Sequence, residues 1–236
     1  YANLMKIVSI GFTEGYYYRP RVDFETLEKY HEGLICLSAC LAGEIPRYIV
    51  RGFYDEAKEI ARKYQDCFGK DNFFLELQDH GIDDQKLVNQ QLLRMSKELE
   101  IGLVCTNDVH YTYESDAEAH DVLLCIQTGK KVSDEDRMRY DGGQFFVKSE
   151  EQMRALFPYA TEAIENTQKI ADRCNVEFEF GVRKLPRFDV PNNEDHYEYF
   201  RRKCYEGLYR HYGENPDKSL IDRLEYELAT VSKMGF

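Results

Sequence analysis

The feature that most restricts the fold of this chain is an alternation of short apolar segments with longer amphipathic ones, which continues to about residue 130. Apolar segments of strand length occupy residues 34–39, 72–78 and 102–106, and each precedes a segment whose apolar residues recur with helical spacing. Parallel strands need a long crossover connection, which is usually a helix, so this order predicts an α/β fold.

Helix-start signals and apolar periodicity divide the chain further. Asp23 and Ser149 are predicted N-caps, and Gln152, three residues after Ser149, completes a capping box. The polar stretch 130–143 contains two adjacent glycines and is predicted to form a loop or a hairpin. Helices are predicted at 2–13, 23–31, 45–51, 54–68, 84–99, 115–127, 161–174, 196–212 and 220–234.

A change of character near residue 185 predicts a domain boundary. Strand-like segments precede it and amphipathic helices follow it. Residues 185–191 contain two prolines, which favour an extended connector. We therefore predict an α/β domain over 1–184 and a mainly helical segment over 185–236.

Composition limits what the chain binds by itself. Its 236 residues are 43% hydrophobic, enough for a buried core, but no eighteen-residue apolar run and no signal-peptide start are present. We therefore expect a cytoplasmic protein with no membrane partner. Proteins that bind DNA without partners usually have a basic surface. This chain has a net charge of −12, so we expect other parts of a larger assembly to bind the DNA. The seven cysteines include no CxxC pair and indicate thiols rather than a disulfide framework.

Each predicted strand becomes polar toward its carboxyl end, where barrels of alternating strands and helices place their active sites. The strand ends would bring together Cys40, Glu76, His80, Asp108 and His110. Thiolate, carboxylate and imidazole groups are the usual ligands of zinc and related divalent ions. Asp108 and His110 form the sharpest pair, because a spacing of two in an extended segment points both side chains to the same side.

Each of these residues also has an ordinary structural interpretation. The Asp-Val-His tripeptide that contains Asp108 and His110 arises often by chance, and surface or capping roles are common for it. Cys40 alone fits a small buried thiol. Glu76 and Gln78 fit hydrogen bonding inside a polar lumen, and His80 beside Gly81 fits a turn.

The segment Thr106-Asn107-Asp108-Val109-His110-Tyr111, followed by Asp116, Ala119 and His120, resembles the closing metal motif of a known domain. This is the polymerase and histidinol phosphatase (PHP) domain of bacterial DNA polymerase III alpha subunits, the C-family replicative polymerases. The resemblance covers nearly the whole chain. Further matching segments occur in the same order at 1–4, 33–40, 74–78, 149–151, 170–175 and 227–236.

The resemblance implies a distorted seven-stranded (β/α)7 barrel, of which this chain would be a part, followed by a mainly α-helical connector toward the polymerase palm. Cys40, Asp108 and His110 match family ligands for divalent metals, zinc or manganese and magnesium, with Glu76, Gln78 and His80 as possible further lining residues. The family's opening His-x-His motif and its palm carboxylates have no counterpart in this chain. We therefore expect no DNA synthesis, weak metal binding, little hydrolysis and low stability or oligomers from the chain alone.

The resemblance leaves three functions open. In the intact parent polymerase, the domain would act in DNA replication as a metal-dependent 3′-to-5′ exonuclease that proofreads. Alternatively, it would be a non-catalytic module that stabilises the polymerase and docks the proofreading subunit. The partners so implied are DNA, the proofreading subunit and the sliding clamp. A small independent phosphatase is the third possibility, but the helices from residue 194 onward have no role in one.

Overall fold

The computed structural model describes residues 1–182, 186 and 188–235, and these form two compact units, Tyr1–Glu177 and Phe178–Phe236. The predicted boundary between residues 184 and 185 lies outside the described residues, as does part of the predicted connector 185–191. That boundary stays a prediction. Within the described residues, no helix has the combination of length and apolar character needed to cross a bilayer.

The first unit contains a small parallel sheet, as the alternation of segments predicts. Its strands are β1 (Cys36–Leu37), β2 (Phe73–Leu77) and β3 (Gly102–Cys105), arranged in the order β1-β2-β3. Both pairings are parallel, with Leu37 opposite Phe74 and Leu77 opposite Cys105. This mixed α/β architecture agrees with the predicted fold class, while the seven-stranded barrel stays a prediction.

Helices connect and cover these strands. The prediction for β1 was too long, because regular pairing stops at Leu37, whereas β2 and β3 match within one residue at each end. The helices of the first unit are α1 (Ala2–Thr13), α2 (Phe24–Tyr30), α3 (Glu44–Val50), α4 (Tyr54–Phe68), α5 (Asp83–Leu99), α6 (Ala117–Thr128), α7 (Glu150–Leu156) and α8 (Thr161–Arg173).

Local capping chemistry sets several of the helix starts. The Asp23 side chain accepts the N–H of Thr26 at the start of α2, and Ser149 and Gln152 form the predicted capping box before α7. The helix predicted at 115–127 begins later, because a 3₁₀ turn at Glu114–Asp116 precedes it. The stretch 130–143 is a loop that ends in a short turn at Asp141–Gly143 and contains no strand.

The core of the first unit lies against one face of β2. Phe73, Leu75 and Leu77 are buried, whereas Phe74 and Glu76 between them are only partly buried. This is the alternation that a strand imposes when helices cover one of its faces. Burying one such side chain stabilises the fold by about 1.5–3 kcal/mol. The core also contains Ala57, Ala61, Leu92, Met95, Phe157 and Ala163 from the surrounding helices and loops.

The second unit is helical. It contains α9 (His196–Tyr212), which lies where it was predicted, and α10 (Lys218–Lys233), which begins two residues before its predicted start. The earlier start follows from Asp217, whose side chain accepts the N–H of Ser219 and caps the helix. Arg201 of α9 forms a 2.6 Å ion pair with Glu225 of α10, and Leu228 is buried.

Candidate functional site

The side chain of Glu76 forms hydrogen bonds with residues at the carboxyl ends of all three strands. Its Oε2 atom accepts the backbone N–H of Ala39, 3.1 Å away, beyond β1. Its Oε1 atom accepts hydrogen bonds from Gln78 Nε2, at 3.2 Å, and from the hydroxyl of Thr106 beyond β3. The N–H of Glu76 donates in turn to Ser38 Oγ at 2.8 Å. Both carboxylate oxygens are therefore engaged by donors of the protein itself, as expected for hydrogen bonding inside a polar interior.

Cys40 lies in a tight turn after β1. The register would place an extended Cys40 on the same face as Leu77, toward the core. Ala39 instead adopts a left-handed conformation with φ +65°, and Gly43 donates its N–H to the Cys40 carbonyl at 2.7 Å. A Cβ on Gly43 would come within 2.5 Å of the Ser38 carbonyl oxygen, so the turn requires glycine there. The turn brings Cys40 beside Gln78 in the lining of a cavity.

Asp108 and His110 follow β3 and contact each other. His110 Nε2 lies 3.3 Å from Asp108 Oδ1, and both residues are exposed. The N–H of His110 donates to the Phe145 carbonyl at 2.8 Å. The ring of His110 belongs to an aromatic cluster with Tyr140, whose centroid lies 4.4 Å away, and with His120 at 5.7 Å. His120 in turn packs against the rings of His110, Tyr111 and Tyr140.

A cavity of about 470 Å³ opens over the strand ends. Cys40 and Asp108 both line it, and its other lining residues are Leu41, Ala42, Gln78, Ile82, Gln85, Arg139, Tyr140 and Phe145. In the part of the chain that the structure describes, no three His, Cys, Asp or Glu side chains are grouped closely enough to hold a metal ion. The residues present therefore do not complete a metal site by themselves, and the ligand roles of Cys40, Asp108 and His110 stay predictions.

His80 is buried beneath this cavity's wall instead of lining the cavity. Gln85 Oε1 accepts the N–H of His80 at 2.8 Å, so Gln85 Nε2 must be the donor to His80 Nδ1, 3.0 Å away. The proton of the neutral ring therefore sits on Nε2. The ring stacks on Phe145 with centroids 4.3 Å apart and is 2% exposed. Its Nε2 atom has no hydrogen-bond partner among the described residues.

The environment of His80 predicts a pH-dependent stability. Burial lowers the pKa of His80 below its ordinary 6.5, and the nearby Lys148 charge acts in the same direction, against the opposing charge of Asp108. The unfolded chain then binds more protons than the folded one just below pH 6.5, so stability should fall as the pH drops from 6.5 toward 5. The contribution of His80 to the change of stability with pH cannot exceed one proton, which corresponds to about 1.4 kcal/mol per pH unit.

Urea denaturation at a series of pH values measures this slope. The His80→Gln variant should lose the part of the slope that His80 contributes, even if its stability is lower throughout. An equal slope in both proteins between pH 5 and 6.5 would show that His80 is not held neutral.

Several residues of the cavity carry no recognisable sequence signal. Arg139 and Tyr140 lie in the stretch 130–143, whose sequence predicts only a loop or a hairpin, and Phe145 follows it. Gln85 lies on the buried side of α5 without charge or motif. Their roles arise from contacts made across the fold, which periodicity does not report.

Comparison with known proteins identifies relatives of the chain by sequence. Residues 1–80 match the family model of the PHP domain. The chain is 44% identical over 237 residues to the DNA polymerase III subunit alpha of Treponema pallidum, which covers all of this chain and 20% of that protein. The corresponding protein of Borreliella burgdorferi is 44% identical over 238 residues, covering 100% of this chain and 21% of the relative. That of Thermus aquaticus is 40% identical over 241 residues, covering 100% and 20%.

These relatives are much longer than the chain, which spans about a fifth of their length. Sequence identity at this level along the whole chain is far more specific than any single motif. The chain is therefore a homologue, over its whole length, of one segment of the bacterial DNA polymerase III alpha subunits, with PHP-domain sequence at residues 1–80.

Proposed function

We propose that this chain acts in bacterial DNA replication as part of a polymerase III alpha subunit, a DNA-directed DNA polymerase. Its first unit contributes one wall of a PHP phosphoesterase site, and the activity of that site is 3′-to-5′ exonuclease proofreading. The observation that carries this proposal is the cavity over the strand ends, where Cys40 and Asp108 share one lining and His110 contacts Asp108. The relatives' names support the setting in a replicative polymerase.

The three candidate ligands differ from the other polar residues near the cavity in how they are engaged. Glu76 uses both of its oxygens to hold the strand ends, and His80 is enclosed by Gln85 and Phe145. Cys40, Asp108 and His110 provide thiolate, carboxylate and imidazole donors of the kinds that bind zinc or manganese. Because the described residues form no group of three donors, further ligands would have to come from other segments of the intact polymerase.

Calorimetric titration of the 236-residue chain with zinc and with manganese tests this assignment. A complete structural zinc site binds the ion with a free energy of about 10–16 kcal/mol. An incomplete site should bind it more weakly, with a Kd above about 1 µM. Asp108→Asn should remove most of the binding that remains, because it takes away the carboxylate beside His110.

The matched control is Asp84→Asn, which removes an exposed carboxylate from the first turn of α5 and should leave metal binding unchanged. Nanomolar binding by the unaltered chain would contradict an incomplete site. Equal binding by Asp108→Asn and the unaltered chain would remove Asp108 from the ligand set.

The second candidate function is a non-catalytic module that stabilises the polymerase and docks the proofreading subunit. The lack of a three-donor group among the described residues favours it. A full-length polymerase that carries this segment with the substitutions Cys40→Ser and Asp108→Asn distinguishes the two candidate functions. Exonuclease activity is lost and polymerase activity kept if the site is catalytic, whereas the structural function predicts that neither activity changes.

A further inference from the structure

Residues 16–21, between α1 and α2, form an exposed loop that begins with three consecutive aromatic rings. The exposed fractions of Tyr16, Tyr17 and Tyr18 are 59%, 64% and 81%. Tyr17 and Tyr18 contact each other edge-on, with ring centroids 4.6 Å apart. We call this segment the tyrosine loop. Large rings grouped on a surface indicate a site of interaction, because the fold gains nothing from leaving them in water.

The tyrosine loop is held in place by its own backbone and by α1. Tyr17 donates its N–H to the carbonyl of Arg19 at 3.2 Å. A Cβ on Gly15 would lie 1.9 Å from the Arg21 carbonyl oxygen, so the loop backbone rests directly against the end of α1. Tyr18 adopts a left-handed conformation with φ +58°, which a bulky residue rarely takes unless its surroundings impose it. A defined backbone therefore presents the rings to solvent.

Two arginines add positive charge to the tyrosine loop. Arg19 and Arg21 are exposed, and neither forms an ion pair with a carboxylate among the described residues. The guanidinium carbon of Arg21 lies 5.6 Å from the centroid of the Tyr17 ring. A guanidinium group is always charged and matches the geometry of phosphate oxygens. The loop thus combines flat aromatic faces with groups that bind phosphates.

We propose that the tyrosine loop binds single-stranded nucleic acid. Unpaired bases stack on Tyr17 and Tyr18, while Arg19 and Arg21 contact the phosphates of the same strand. Sites of this kind accept any sequence, because every base has a flat face. A duplex is a poor ligand, since its bases are stacked on one another and do not reach the rings. This site lies beyond the proposed phosphoesterase reaction and requires neither its metal nor its cavity, although it rests on the replicative setting proposed above.

The charge of the chain requires the bases to provide most of the binding. With a net charge of −12, the chain as a whole repels a polyanion. Phosphate contacts by two arginines predict that log K falls with log salt concentration with a slope of only about −1.4, which is about −0.7 for each phosphate of a single strand. A strand held mainly through its phosphates would show a steeper slope.

Fluorescence anisotropy of a labelled oligothymidylate of about twelve nucleotides, titrated with the whole chain in the presence of a chelator, tests the proposal. An abasic strand of the same length keeps the phosphates and lacks the bases, and a blunt duplex keeps both but hides the bases. The unaltered chain should bind the oligothymidylate at least ~10-fold more tightly than either of these, because each base stacked on a tyrosine contributes a factor of at least ~5.

Substitutions in the loop assign the binding to particular rings. Tyr17→Ala and Tyr18→Asn should each weaken binding of the oligothymidylate at least ~5-fold through loss of one stacking surface. Asparagine suits position 18 because it tolerates the left-handed conformation. Tyr18→Phe keeps the ring and should bind as the unaltered chain does. The matched control is Tyr226→Ala, which removes an exposed tyrosine of α10 that also lies beside an arginine, Arg223, and should leave binding unchanged.

Three outcomes would overturn the proposal. They are no binding of the oligothymidylate up to about 1 mM chain, equal affinity for the oligothymidylate and the abasic strand, and folded Tyr17→Ala and Tyr18→Asn variants that bind as the unaltered chain does. Tyrosine and arginine are also enriched at protein interfaces, so the first outcome would favour a protein partner for the loop. The first two outcomes need no variant and therefore do not depend on whether the variants fold. Because no metal is present, failure here is separate from failure of the metal titration, which tests the phosphoesterase site.

Discussion

Replacing Glu76 with glutamine should lower the free energy of unfolding by about 2 kcal/mol or more, although the two side chains have the same shape. Both carboxylate oxygens accept hydrogen bonds, one from the Ala39 N–H and the other from Gln78 and Thr106. A glutamine places an NH₂ group at one of these positions, so a donor then faces donors. Urea denaturation followed by circular dichroism measures the change.

Glu118→Gln is the matched control, since it removes the same charge from an exposed position on α6. It should change stability by less than about 0.5 kcal/mol. A Glu76→Gln variant as stable as this control would show that the three strand ends do not depend on the carboxylate. The turn at Ala39 would then need another cause.

Phe145→Ala should have the largest effect of the substitutions considered, about 3–5 kcal/mol of lost stability. The side chain is 5% exposed, stacks on His80 and contacts Tyr140 edge-on, with centroids 4.8 Å apart. Its removal leaves a void between the buried histidine and the aromatic cluster that surrounds His110. Since domains of this size are stable by only about 5–15 kcal/mol, the midpoint of thermal or urea unfolding should shift clearly.

Two further variants serve as comparisons. One keeps buried volume at position 145 without the aromatic ring, and the other removes an exposed ring elsewhere. Phe145→Leu keeps most of the buried volume and should cost less than Phe145→Ala, because the void is smaller. Phe12→Ala removes an aromatic ring that is 59% exposed on α1 and should have little effect. Similar losses for Phe12→Ala and Phe145→Ala would contradict the role of Phe145 as the inner wall of the cavity.

Where local rules act alone, prediction from sequence succeeded. The alternation of Phe73, Leu75 and Leu77 with more polar neighbours predicts both the strand β2 and the face that it buries. Asp23 and Ser149 cap helices through contacts within three residues, so their effect does not depend on the rest of the fold. The contact between Asp108 and His110 is also local, because a spacing of two places both side chains on the same side.

Prediction was less successful where one residue depends on another far along the chain. The extended segment expected over 34–39 ends at Leu37, and Ala39 adopts a left-handed conformation that alanine rarely takes. The acceptor of its N–H is Glu76, 37 residues away. The turn so formed changes the side to which Cys40 points, and nothing in the segment around Cys40 announces it.

The sequence by itself determined the α/β alternation, most helix positions and the residue types available at the strand ends, because these depend on periodicity and on neighbours within a few residues. Only the tertiary structure decided how each polar group is used. It encloses His80 between Gln85 and Phe145, pairs Arg137 with Asp121 and places Arg139 in one cavity with Gln78 and Asp108. The reason is that a hydrogen-bonding group is satisfied or left unmet by partners that only folding brings within reach.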